Sequence, residues 1–324
     1  MTKILILGGG GMVGQKLAHH LAANGWQGQP ADVILHDVGF APDGAPAEQR
    51  FIGSLTDAGA ASQLAGLRPD VIFHLAAIVS GEAEQDFEKG WQVNMFATWH
   101  LLEALRAEHD ASGGSYVPRL VFSSSIAVFG APFPDKIGDE FLTAPLTSYG
   151  AQKAICELMV SDFSRKGFVD GLSIRLPTIC VRPGKPNKAA SGFFSGIIRE
   201  PLNGVDAVLP VPDTVRHWHA SPRSAVGFLE RAGTMDLDLL EGRRSLNMPG
   251  LSCTVAEQIE ALRSEAGAEA VARIRPAPDP AIAAIVAGWP RDFDARRATA
   301  LGFAAESSFA EIIQVYIQDD LGRS

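Results

Sequence analysis

The sequence predicts an α/β fold: a doubly wound parallel sheet with a smaller, interleaved C-terminal α/β substrate domain. Three observations carry this expectation. Short apolar runs, of the kind buried strands show, alternate with stretches of helical periodicity as far as Pro177. The first run leads at once into a cluster of glycines and then a helix. Beyond Thr178 the alternation breaks into loops, short strands and isolated helices. At 324 residues the chain exceeds the usual size of one domain. The expected division is 1–177, with return segments near 220–249, against 178–219 and 250–324.

Residues 4–7 form the first strand. Glycines at 8, 11 and 14 follow, then apolar residues at 13, 17, 18 and 21 along one helix face. In such a turn Gly8 permits the tight bend, Gly11 lets the backbone approach a pyrophosphate, and Gly14 lets helix and strand pack closely. The helix start adds free N–H groups and a partial positive charge. A dinucleotide is therefore the expected ligand. Residues 32–37 form the second strand and end in Asp37, 23 residues past Gly14. An acid there bonds the adenosine ribose and repels the extra phosphate of NADP, so NAD is preferred. The alternative is that Asp37 merely opens the turn that residues 42–44 continue.

Residues 50–53 read as the third strand, with Ser54 and Leu55 where an adenine would rest and Asp57 placed to cap a helix running to about Leu67. Residues 71–75 are the fourth strand, running into Ala76 and Ala77, small enough for a cofactor to lie close. His74, inside that apolar run, reads as a core histidine. One long helix is expected from Phe87 to about His109, with Trp91, Met95, Thr98, Leu102 and Leu105 on a stripe. Asn94 falls on the same stripe, either as a structural tie or as part of the site. Residues 120–125 are the fifth strand and end in Ser123, Ser124 and Ser125. A loop with three prolines then reaches the helix that carries Tyr149 and Lys153, and residues 172–177 are the sixth strand.

In the second half, residues 182–187 read as a loop and 193–199 as a helix. Short strands are expected at 207–211 and 215–220, and a helix from Ser224 to about Ala232. A strand near Leu246 and helices from Val255 to about Ala266 and from Phe309 to about Asp319 complete the chain.

The formal net charge of −9 argues against a general affinity for nucleic acid or anionic membranes. No apolar run approaches the ~18 residues that a span needs, and no secretory signal is visible. Cys156, Cys180 and Cys253 are scattered without metal spacing and read as reduced core thiols of a cytoplasmic protein.

Tyr149 and Lys153 are four apart on a helix and share one face. A phenol ordinarily titrates near ~10. An adjacent ammonium favours the phenolate and brings Tyr149 within use as a base. Ser125, at the end of its strand, can bond the same substrate oxygen. Gly8-x-x-Gly11-x-x-Gly14, the 74–77 segment, Ser123-Ser-Ser125 and Tyr149-x-x-x-Lys153 together resemble the extended short-chain dehydrogenase/reductase superfamily, across essentially the whole chain.

That resemblance implies a Rossmann domain, an NAD cofactor and a catalytic set of Ser125, Tyr149 and Lys153, with Tyr149 as acid/base. Lys153 then holds the nicotinamide ribose and steadies the phenolate. The cofactor contacts it implies are Gly8, Gly11, Met12, Val13, Gly14, Asp37, Ser54, Leu55, Leu75, Ala76, Ala77, Asn94, Ser123, Tyr149, Lys153 and Pro177. Three positions depart from the commonest pattern: Ser54 stands where an acid often bonds adenine, Thr178 where sugar-nucleotide epimerases carry Asn, and Arg182 near their Gly-Pro pair. The last two argue against a nucleotide-sugar ligand.

Residues 78–82, 181–187, 191–194 and 216–221 are similar to dehydrogenases that oxidise the C2 hydroxyl of a four-carbon sugar acid, D-erythronate, to the 2-keto acid with NAD. A small acid needs a cation for its carboxylate, and arginine grips one in bidentate fashion. The candidates are Arg182, Lys185, Arg216 and Arg223. Arg216 comes first, because its place resembles that of an arginine that epimerases direct at a substrate phosphate. Ser80, Thr178 and Ser191 are then the partners of the other hydroxyls, with Ser125 and Tyr149 at C2. The His217-x-His219 pair suggests no metal, since a third ligand is not evident. The resemblance also implies a homodimer through the helices carrying Trp91 to Leu105 and Tyr149. The competing expectations are a nucleotide-sugar epimerase or dehydratase, which returns its NAD unchanged, and a non-catalytic dinucleotide sensor.

Overall fold

Two compact units divide the chain, each assembled from three separate stretches. The structure, a computed structural model, describes residues 1–42, 44–184 and 190–322. The first unit comprises Met1–Val128, Thr147–Arg175 and Val226–Leu246, and the second Phe129–Leu146, Leu176–Ala225 and Asn247–Ser324. Residues 129–146, placed with the nucleotide half by sequence, group instead with the second unit. The reason is packing: Phe129 lies 5.8 Å from the rings of both Phe141 and Phe293, and the Ile137 backbone exchanges hydrogen bonds with Asp292 and Asp294.

In chain order the elements begin β1 (Thr2–Leu7), α1 (Met12–Asn24), β2 (Ala31–Asp37), β3 (Gln49–Ile52), α2 (Ala60–Gly66), β4 (Val71–His74) and α3 (Ser80–Gln85). Then come α4 (Phe87–Gly90), a π-helical stretch Trp91–Phe96, α5 (Ala97–Ala111), β5 (Arg119–Ser125), α6 (Ser148–Arg165) and β6 (Asp170–Leu176). The second half contains β7 (Thr178–Ile179), α7 (Gly192–Leu202), β8 (Ala207–Leu209), β9 (Arg216–Ala220), α8 (Pro222–Thr234) and β10 (Ser245–Asn247). It ends with β11 (Leu251–Thr254), α9 (Val255–Val271), β12 (Ile274–Pro276), α10 (Pro280–Ala287), α11 (Arg296–Ala300) and α12 (Phe309–Asp319).

The seven-stranded parallel sheet of the first unit has the order β10-β6-β5-β4-β1-β2-β3. β1, an interior strand between β4 and β2, carries Ile4, Leu5, Ile6 and Leu7 wholly buried, the pattern of a strand covered on both faces. Leu5, Leu7, Ile34, Ile72, Leu120 and Phe122 of the sheet join Leu101, Leu102, Leu105 and Val160 of α5 and α6 in one core. The chain runs from β1 outward to β3, then crosses to β4 on the other side of β1. That reversal leaves a crevice at the carboxyl ends of β1 and β4, where ligands bind in open α/β sheets.

The helix expected from Phe87 to His109 is interrupted by the π stretch. Thr98 Oγ1 and Cys156 Sγ both donate to the Asn94 carbonyl, at 3.1 and 3.2 Å. Two side chains thus compete for the oxygen that an ordinary α turn offers to the N–H four residues on. Asp57 does not cap α2, whose N-cap is Gly59 with φ 82°. Its carboxylate accepts instead from Ser54 N, at 2.8 Å, closing a turn after β3.

In the second unit β9 lies between β7, parallel to it, and β11, antiparallel, while β8 and β12 form a separate parallel pair. Phe194, Ile197 and Ile198 of α7 pack with Val255 and Leu262 of α9 and with Phe309, Ile312 and Ile313 of α12. A capping box starts α9: Thr254 accepts from Glu257 N at 3.1 Å and Glu257 from Thr254 N at 2.6 Å. Among the described residues, no helix is long and apolar enough to cross a membrane.

Candidate active site

The turn between β1 and α1 is shaped by close backbone approach. Gly8 has φ 85°, and a Cβ there would sit 2.7 Å from Ala76 N, against the end of β4. A Cβ on Gly14 would lie 2.3 Å from Gly8 O. Both positions exclude any larger residue. Gly11, by contrast, is exposed, and a Cβ there would meet only Gly8 O, at 3.4 Å. Gly11 is also the N-cap of α1, and no side chain caps that helix. The N–H groups of its first turn, at Met12, Val13 and Gly14, are therefore left to a ligand, with the helix dipole adding a positive potential. A dinucleotide pyrophosphate fits these residues.

Asp37 ends β2 beside this turn. Its Oδ2 accepts from Gly10 N at 2.9 Å and its Oδ1 from Val38 N at 2.7 Å. Each oxygen keeps a second lone pair, so the carboxylate can brace the loop and still accept from ribose hydroxyls. Gln15 adds a second brace, donating to Gly9 O and accepting from Ala45 N. Leu55, expected against the adenine, is buried in the core, while Ser54 is half-buried and bonded to Thr56 at 2.7 Å.

Leu75, Ala76 and Ala77 follow β4 and are half-buried. Asn94, fully buried, holds this segment: its Oδ1 accepts from Ile78 N at 2.9 Å, and its Nδ2 donates to Gln152 Oε1 at 2.8 Å. Of the two roles that the sequence left open, the structural tie is the one these bonds describe. His74 is a core residue, bonded through Nε2 to Thr98 Oγ1 at 3.0 Å. Burial pushes it down to about 3, so it stays neutral at ordinary pH.

Ser125 closes β5, half-buried, with its Oγ accepting from Ala127 N at 3.1 Å. Thr147 caps α6 by accepting from Gly150 N, and this sets the first turn that presents Tyr149, also half-buried. One turn further in, Lys153 is only 1% exposed. Its Nζ donates to Ser123 O at 2.8 Å and stands 4.6 Å from the Phe122 ring centre and 5.7 Å from that of Tyr149. Burial draws the Lys153 ammonium down to about 8, against the opposing pull of Cys156 and Glu157. Ser123 Oγ is turned away, donating to His74 O at 3.0 Å.

Beneath Lys153 lies a group that sequence reading did not select. Glu157 receives Ser124 Oγ at 2.5 Å and is paired with Arg175 of β6 at 2.7 Å, all three side chains being buried. Two signals were present: Glu157 is one turn from Lys153 on the same face, and Arg175 is a charge inside an apolar strand.

Of the residues expected at the substrate, Ser80, Ser125 and Tyr149 belong to the first unit, and Thr178, Arg182, Ser191 and Arg216 to the second. Pro177 is buried. Thr178 Oγ1 lies 2.7 Å from His217 Nε2, and His217 Nδ1 lies 2.9 Å from Pro290 O. A carbonyl only accepts, so the imidazole proton is on Nδ1, and Thr178 must donate to Nε2. Phe194 stacks on His217 at 5.2 Å, and His219 is held by Gln258 at 2.9 Å. Arg216 is engaged within its own unit, donating to Ser252 O at 3.0 Å and lying 3.3 Å from Glu257. Arg223 pairs with Asp319, and Arg182 donates to Ile179 O and to Ser195. Ser191 precedes α7 and Ser80 opens α3, each half-buried. Lys185 lies outside the described residues.

Fold and glycine turn define an NAD-dependent enzyme. Residues 4–220, more than half of the chain, match the NAD dependent epimerase/dehydratase family, and the chain belongs to it. It is 45% identical to a D-erythronate dehydrogenase of Cupriavidus necator over 98% of each chain. It is 42% identical to a D-erythronate dehydrogenase of Haemophilus influenzae, over 98% of this chain and 100% of the other. Among solved structures, one described as the nucleoside-diphosphate-sugar epimerase from Agrobacterium tumefaciens superposes with a TM-score of 0.95 at 57% identity. That match covers 100% of this chain and 95% of the other.

Proposed function

We propose that this protein oxidises the C2 hydroxyl of D-erythronate to 2-dehydro-D-erythronate, with Tyr149 as the general base. The observation that carries the chemistry is the buried Lys153 ammonium, 5.7 Å from the Tyr149 ring and one helical turn below it. Near-full-length likeness to two proteins named D-erythronate dehydrogenase supports the substrate. The glycine turn, the α1 N-terminus and Asp37 would hold NAD, and bound NAD supplies the acceptor for the C2 hydride. Tyr149 takes the hydroxyl proton, its phenolate favoured by the Lys153 charge. Ser125 bonds the same oxygen and fixes its direction. Lys153, anchored on Ser123 O, would also hold the nicotinamide ribose.

For the rest of the substrate, the reading assigns the carboxylate to Arg216 and the remaining hydroxyls to Ser80, Thr178 and Ser191. The Arg216 pair with Glu257 is largely exposed, the kind of ion pair that contributes little and exchanges readily. Since Thr178 already donates to His217, it meets a substrate hydroxyl as an acceptor.

The epimerase named in the description of the Agrobacterium tumefaciens structure is the second reading. An epimerase restores its NAD in every cycle and releases none of the reduced form. Purified protein mixed with NAD and D-erythronate should produce NADH and 2-keto acid in equal amounts. Turnover of a nucleotide sugar, with no NADH from any sugar acid, would replace the first reading by the second.

A homodimer belongs to the same proposal. Phe87, Phe96, Trp99 and Leu158, on or between α4 and α6, are large apolar side chains left 64%, 39%, 40% and 72% exposed. Exposed apolar side chains of this size on neighbouring elements suit a protein partner, here a second copy of the chain.

A further inference from the structure

We propose that Glu157 and Arg175 are positioning residues that fix where Lys153 stands and how much field its ammonium and Tyr149 experience. This rests on the reading of Tyr149 as base. The pair is buried, with 9% of the Arg175 side chain and 5% of the Glu157 side chain exposed. It is bidentate: Arg175 Nη2 donates to Glu157 Oε2 at 2.7 Å and Nε to Oε1 at 2.9 Å. Ser124 adds its hydroxyl to Oε1 at 2.5 Å. One carboxylate therefore joins three elements: β5 through Ser124, α6 through its own backbone, and β6 through Arg175. Those first two elements carry the Ser123 carbonyl that accepts from Lys153 Nζ, the Phe122 ring beside it and the Tyr149 ring that shares its helix face.

A buried ion pair in this place is poor evidence for stability as such, because desolvation offsets most of the attraction. Its position is more telling. Glu157 is one turn from Lys153, roughly 6 Å between Cβ atoms for such neighbours. Among the described residues, the titratable groups facing Lys153 are Tyr149, Cys156 and Glu157 from α6 and His74 from β4, with Arg175 from β6 behind Glu157. His74 stays neutral, and burial raises the Cys156 thiol to about 11. Glu157, which acts on Lys153, and Arg175, paired with Glu157, are thus the charged groups built into this part of the fold. Glu157 favours the ammonium and disfavours the phenolate, and Arg175 does the reverse.

The test uses two variants that break the same ion pair with opposite charge. Glu157→Gln removes a negative charge, so Lys153 and Tyr149 both release protons more easily. The profile of kcat/KM against pH for oxidation should then move to lower pH, by roughly one unit for a buried charge at this range. Arg175→Met removes a positive charge and should move the profile to higher pH by a similar amount. Arg175→Lys keeps the charge and should leave the profile at its wild-type position; it also serves if Arg175→Met does not fold. Shifts in the same direction, no shift, or a displaced Arg175→Lys profile would overturn the proposal, since loss of packing alone scales the rate without regard to sign. Tyr149→Phe is measured beside them. If that variant keeps near-normal turnover, the reading of Tyr149 fails, whereas collapse there with unshifted Glu157→Gln and Arg175→Met profiles sinks only the present inference.

Discussion

Asp37 shows how much one side chain does at this site. It accepts from the backbone N–H groups of Gly10 and Val38, and its remaining lone pairs are the ones proposed to meet an adenosine ribose. Asp37→Ala should narrow the preference for NAD over NADP by raising the KM for NAD, with the NADP value little changed or improved. Equal use of both cofactors by the wild type would remove Asp37 from that role. Buried histidines make a separate prediction. Burial holds His74 at about 3 and His217 at about 4, while an unfolded chain takes up those protons near 6.5. Between those limits the unfolded state binds more protons, so stability is intact above 6.5 and falls as the pH drops towards 4. Each such histidine adds a slope of about 1.4 kcal/mol per pH unit. Denaturant melts of His74→Gln, which can still donate to Thr98, should lose one increment of that slope; an unchanged slope would contradict the assignment.

At the scale of elements, the π stretch and its asparagine are the informative case. Asn94→Ala would leave Ile78 N–H and Gln152 Oε1 without their partner in a buried setting, at a cost of about 2–4 kcal/mol. A urea midpoint close to wild type would show that water or a rearranged Gln152 replaces the amide. The sequence made this helix readable but not its widened turn, because Trp91 to Leu105 fits ordinary three- and four-residue spacing. The π geometry comes from Thr98 and Cys156 reaching the Asn94 carbonyl, and Cys156 belongs to another helix. Elements with strong local signals were legible throughout: the four buried residues of β1, the glycine turn and α12, whose bounds match the expectation from residue 309 to 319. Short β11 and β12 were not, since two- to four-residue pairings depend on partners far along the chain. The proposed site divides in the same way. Ser125, Tyr149 and Lys153 announce themselves by order and spacing, whereas the bonds that occupy Arg216 and Thr178 exist only after folding.

On the scale of the whole molecule, association and chain path are the open properties. Light scattering at micromolar concentration should give twice 34.4 kDa. Trp99→Glu with Leu158→Glu, both on exposed apolar positions, should halve that mass. A monomeric wild type would end the dimer proposal. The chain path has a consequence for descent. The two units alternate along the sequence in six pieces, so neither corresponds to a continuous stretch of gene. One recombination breakpoint cannot exchange the second unit for another: it would carry away part of the sheet or leave Phe194 and Ile197 without Phe309 and Ile312. Substitution in place, residue by residue, is therefore a more direct route to new substrate preferences in such an enzyme than the borrowing of a ready-made module.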